Sequence, residues 1–135
     1  KPMSALEKND AIISQVAVID DEAMILRSIR YTLEFEGYSV YTNTSGEEFI
    51  RDLENRSIPV PDLIITDQNM SGINGLDLLA NLKKKYPEIS MILMTGFGDK
   101  DLVVKSLKGG VEDYLDKPFS SDDLVSAIHR IEEKI

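Results

Sequence analysis

Short apolar runs alternate with longer segments of helical spacing from one end of the chain to the other. The runs at 16–19, 63–66 and 91–94 are almost uninterrupted, the pattern of strands covered on both faces. After the first run, Ile25, Leu26, Ile29 and Leu33 recur at helical intervals, with Arg27, Arg30 and Glu34 outside and Gly37 as the stop. Residues 38–42 have strand composition, and Ser45-Gly46-Glu47-Glu48 reads as a capping box opening a helix through Leu53. Asn74, with Asp77 three residues on, opens a helix whose apolar stripe is Leu76, Leu79, Leu82 and Tyr86. Leu102, Val103 and Leu107 mark a fourth helix ending near Gly109-Gly110, and 113–116 a fifth strand. Ser120 caps a last helix with Leu124, Ile128, Ile131 and Ile135 inward.

Five βα units joined by short connections imply an α/β protein, a doubly wound parallel sheet with helices on both faces. The expected strand order is 2-1-3-4-5, taken from known doubly wound proteins and not from the periodicity. It sets the first and third strands side by side. Asp20, Asp21, Asp67, Thr95 and Lys117 each follow an apolar run, so all five reach the carboxyl-terminal edge, where open α/β sheets bind ligands.

Three carboxylates brought that close repel one another unless a cation intervenes. Mg2+ suits an oxygen-only set that also meets phosphate oxygens. Taken singly, each residue has a plainer reading: Asp20-Asp21 as a helix cap, Thr95 as a strand end, Lys117 as a solvated lysine. Their coincidence favours a phosphoryl site. Asp67 closes an apolar strand, where a carboxylate is costly unless used, and is the natural nucleophile for an aspartyl phosphate. A cis peptide is expected between Lys117 and Pro118, aiming the lysine back over the strand ends.

Composition narrows the setting. With 135 residues the chain fits one domain, and its net charge of −9 weighs against non-specific binding to nucleic acid or an anionic membrane. It has no cysteine, which removes disulfides and thiolate chemistry. No apolar stretch nears the roughly 20 residues of a membrane span, so the cytosol is the expected compartment. The opening Lys1-Pro2 reads as a trimmed amino terminus, with 1–14 expected as an extension or short helix before a domain at 15–135. The lone His129, without a companion ligand, is not expected to bind metal, and the scattered methionines read as core filler.

The segments Val18-Ile19-Asp20-Asp21-Glu22, Ile65-Thr66-Asp67-Gln68-Asn69-Met70, Gly75, Met94-Thr95-Gly96 and Tyr114-Leu115-Asp116-Lys117-Pro118-Phe119 resemble the receiver domains of bacterial two-component response regulators, which are CheY-like. The resemblance runs from about Gln15 to Ile135 and implies a flavodoxin-like (βα)5 fold. It implies that Asp67 accepts a phosphoryl group from a sensor histidine kinase or a phosphotransfer protein. It further implies that Asp21, Asp67 and the Asn69 carbonyl ligate Mg2+, with Asp20 acting through water. Thr95 and Lys117 would contact phosphoryl oxygens, and Tyr114 would be the switch aromatic. The implied output surface is the fourth helix, fifth strand and last helix, about 99–135, carrying Lys100, Lys105 and Lys108 toward an effector domain or protein.

Homodimerisation through that surface is compatible with the resemblance. Direct nucleic-acid binding by this domain and membrane association are not expected. The domain is consumed as a substrate and turns over no other, so it is not expected to act as an enzyme. Two positions depart from the family. Ser71 replaces the usual proline, which loosens a loop without removing chemistry, and Phe97 is bulky enough to shield an aspartyl phosphate from water. On that reading Phe97→Ala loses phosphate faster. The competing functions are a Mg2+-dependent phosphohydrolase of haloacid dehalogenase type, which typically carries an acid where Asn69 stands, and a binding module without the chemistry.

Overall fold

The computed structural model describes residues 13–96, 99, 101 and 110–135. Its elements are β1 (Gln15–Ile19), α1 (Ala23–Phe35), β2 (Ser39–Asn43), α2 (Gly46–Glu54), β3 (Leu63–Asp67), α3 (Gly75–Lys85), β4 (Ser90–Thr95), β5 (Asp113–Asp116) and α4 (Ser121–Glu132). The expected fourth helix at 102–109, Phe97, the three lysines of the output surface and most of the expected 1–14 extension lie outside the described residues.

The sheet runs β2-β1-β3-β4-β5 with every neighbouring pair parallel, the flavodoxin-like order. Strand alternation divides the core in two. Val16, Val18, Leu63, Ile65, Ile92 and Met94 face α1 and α4, against Leu26, Ile29, Leu33, Leu124, Ile128 and Ile131. Ala17, Ile19, Ile64, Met91 and Leu93 face α2 and α3, against Phe49, Leu53, Leu78, Leu79 and Leu82. Unbroken apolar runs are therefore required in β1, β3 and β4, which bury both of their faces, while the edge strands β2 and β5 stay partly exposed.

Helix starts follow their caps. The Ser45 and Asn74 side chains accept from the amides of Glu48 and Asp77, and Ser120 forms a full capping box with Asp123. Gly37 ends α1 at φ 97°, as expected of a helix-terminating glycine. Two inward positions differ from the pattern. In α3, Leu78 is buried and Leu76 only partly so, because the helix packs its 78/79/82 stripe on the sheet. Ile135 is exposed, since α4 stops at Glu132 before another turn could carry it inward.

Candidate functional site

Register brings the site together. Ile19 of β1 pairs with Thr66 of β3, so Asp20 and Asp67 emerge side by side. Asp67 in turn pairs with Met94, and Thr95 with Asp116, which leaves Lys117 as the next residue at the same edge. The Lys117 amide donates to the Thr95 carbonyl at 2.7 Å, and the Lys117-Pro118 peptide is cis, as expected.

The Lys117 ammonium stands 2.7 Å from Asp20 Oδ2 and 3.2 Å from Asp67 Oδ1. Asp20 is wholly buried and Asp67 is 5% exposed. Exposed Asp21 completes a triad in which one carboxylate oxygen from each residue lies within 4.8 Å of the other two. Asp20 Oδ1 accepts from the Glu22 amide at 2.9 Å, and the α1 N-cap is Glu22, without any side-chain cap bond. The plain helix-cap reading of Asp20-Asp21 therefore fails.

Burial, and then the charge of Asp20, push the Asp67 carboxyl above its ordinary pKa of 3.8, against the pull of Lys117 and the Asn69 amide. Burial works to lower the Lys117 pKa, but its bond to Asp20 and the charges of Asp20 and Asp67 leave it raised above 10.5. Both shifts record one imbalance. Three carboxylates against one ammonium leave a net charge of −2, matched by one divalent cation. All donors are hard oxygens, a set that fits Mg2+ better than a softer metal.

Thr95 is fully buried, and its hydroxyl points along the sheet to β5, donating to Asp116 Oδ1 at 2.8 Å and reaching the Leu115 carbonyl at 3.4 Å. Tyr114, on β5, is 36% exposed. Asn69 follows β3, with its side-chain amide donating to Asp99 Oδ2 at 3.1 Å. His129 is exposed on α4, away from these groups.

Further contacts support the site. Glu47 of α2 accepts from the Ile73 amide at 2.8 Å, which lowers its pKa, and so pins the loop after β3. A Cβ on Gly75 would strike the Asp67 carbonyl oxygen, so only glycine lets α3 start this close to the end of β3. The Ser71 amide donates to Asp21 Oδ2 at 3.4 Å. Serine thus adds a donor that proline lacks, which corrects the expectation that this departure only loosens the loop.

The response regulator receiver domain model matches residues 16–129. The C4-dicarboxylate transport transcriptional regulatory protein DctD of Pseudomonas aeruginosa is 35% identical over 118 residues, 87% of this chain and 25% of that protein. The transcriptional regulatory protein FixJ of Azorhizobium caulinodans is 36% identical over 84% of this chain and 52% of its own length. The chain thus spans a quarter to a half of these relatives. A receiver domain structure from Clostridium thermocellum superposes with a TM-score of 0.82 at 35% identity, covering 90% of this chain and 96% of that one. A BeF3-activated DrrB receiver domain gives 0.79 at 27% identity, covering 90% and 99%. With the match running from β1 into the last turns of α4, the chain belongs to the response regulator receiver domain family, the phosphorylation-dependent signalling switches of two-component systems.

Proposed function

We propose that Asp67 is the phosphoacceptor, and that a sensor histidine kinase or phosphotransfer protein supplies the phosphoryl group. The observation that carries this reading is the Lys117 ammonium bridging Asp20 and Asp67 with Asp21 in reach, at the sheet edge. An Asp67 oxygen attacks phosphorus as the P–N bond of a phosphohistidine breaks. The imidazole nitrogen leaves with the bonding pair and takes up a proton. Lys117 stabilises charge on the phosphoryl oxygens, and burial of Asp67 limits access by water. Mg2+, held by Asp21, Asp67 and the Asn69 carbonyl with Asp20 acting through water, would neutralise the equatorial oxygens.

Switching follows from the placement of Thr95. Its hydroxyl is bonded to Asp116 in the unmodified protein, and a phosphoryl group on Asp67 offers a competing acceptor. Moving the hydroxyl toward Asp67 loosens its tie to β5 and gives Tyr114 room to turn inward. The β5–α4 face then changes shape toward an effector. The domain is consumed in this cycle, so it is a substrate and not a turnover enzyme. Among the described residues no helix is long and apolar enough to cross a membrane.

The phosphodonor protein approaches over α1. Met24, Tyr31 and Phe35 are 78%, 74% and 80% exposed, on the side of α1 opposite buried Leu26, Ile29 and Leu33. The fold gains nothing from that apolar stripe, and it begins three residues past Asp21. The test is labelling from a phosphorylated kinase. One phosphoryl group per chain, absent in Asp67→Asn, supports the proposal. Sustained release of phosphate from small phosphoesters supports a hydrolase instead.

A further inference from the structure

Asp99 lies four residues past Thr95, and its Oδ2 accepts two hydrogen bonds at the rim of the site. One comes from the Gly96 amide at 2.8 Å, the other from the Asn69 side-chain amide at 3.1 Å. The Asp99 amide returns a bond to the Gly96 carbonyl at 3.3 Å, closing the turn. These two N–H donors belong to residues flanking the acceptor: Gly96 follows Thr95, and Asn69 lies two residues beyond Asp67. In this rim they are neutral donors suited to an anion, and they already hold one.

We propose that Asp99 is a resident anion that a phosphoryl group on Asp67 must displace, so that Asp99 sets how readily the site fills. This rests on the reading of Asp67 as the phosphoacceptor. A phosphoryl group adds acceptor oxygens and negative charge beside carboxylates that already outnumber the lysine. The fixed charge of Asp99 opposes that arrival, and its hydrogen bonds withhold donors that phosphoryl oxygens would use. An asparagine at 99 keeps an acceptor for Gly96 but drops the charge. An alanine drops both.

The experiment titrates beryllofluoride, a phosphoryl mimic, into wild type, Asp99→Asn and Asp99→Ala at saturating Mg2+, by calorimetry. Both variants are expected to bind at least about fivefold tighter than wild type, alanine more than asparagine. Mg2+ alone should bind them equally or more weakly, because losing a nearby negative charge cannot strengthen a cation site. That opposition of signs separates a charge effect from a loosened loop. The Gly96 amide resonance supplies a second reading: it should shift when beryllofluoride binds wild type, and be already displaced in unliganded Asp99→Ala. If wild type binds beryllofluoride and neither variant binds it more tightly, the inference is overturned alone. If wild type binds none, the Asp67 reading falls and this one with it.

Discussion

Replacing Lys117 with methionine removes the ammonium while keeping most of the side-chain volume. Asp20 and Asp67, with side chains 0% and 7% exposed, then face each other without their cation. Breaking a buried ion pair by deleting one partner costs about 3–5 kcal/mol. Lys117 is 19% exposed and reaches solvent, so the lower end applies, about 3 kcal/mol. An unfolding entropy of about 2.1 cal/mol/K per residue gives a 135-residue chain about 0.28 kcal/mol/K, so Tm should fall by about 10 °C without metal. The assay is thermal unfolding followed by circular dichroism, in a double-mutant cycle with Asp20→Asn. In the Asp20→Asn background the methionine substitution should cost less than half as much, because the burdened carboxylate is already neutral. Saturating Mg2+ should return more stability to Lys117→Met than to wild type. Additive losses in the cycle, or a variant as stable as wild type without metal, would refute the claim that Lys117 holds a buried acidic pair together.

Asp67→Asn should melt a few degrees above wild type in metal-free buffer at neutral pH. Because the folded-state pKa of Asp67 is raised, wild-type stability should decline as pH climbs from about 3.8 through that higher value, and the asparagine variant should lack this decline; equal pH profiles would contradict it. Arg56 sits at φ 58°, a left-handed conformation strained for any residue with a Cβ, so Arg56→Gly should gain about 0.5–1 kcal/mol in urea unfolding. Tyr31→Glu places a charge in the exposed stripe of α1 and should slow phosphorylation by a kinase at least about tenfold, leaving phosphorylation by acetyl phosphate unchanged. Equal slowing by both donors would place the defect in the site.

Most of the fold was legible because the three inner strands bury both faces, and that requirement writes itself as unbroken apolar runs at 16–19, 63–66 and 91–94. The positions just past those runs marked Asp20, Asp67 and Thr95, and Lys117 follows the short fifth strand at 113–116. The hydrogen-bond direction of Thr95 was not legible. Its attachment to Asp116 depends on the register of β4 against β5, which no local pattern records. Glu47 and Asp99 were equally silent, since a surface acid and one that accepts backbone amides across a turn look alike in sequence. Ile135 misled because helical spacing continues past the point where α4 ends. The stripe of Met24, Tyr31 and Phe35 was hidden by the stronger inward pattern on the same helix.

The central claim is that Asp67 itself becomes the acyl phosphate. Treating the protein with acetyl phosphate and Mg2+, reducing with borohydride and sequencing the peptides by mass spectrometry reads the modified position directly, since the reduction converts an aspartyl phosphate to homoserine. The expected result is homoserine at position 67 alone, abolished when Mg2+ is chelated. Homoserine at Asp20 or Asp21 in its place, or an unmodified Asp67 in a protein that still takes up phosphate, would contradict the account.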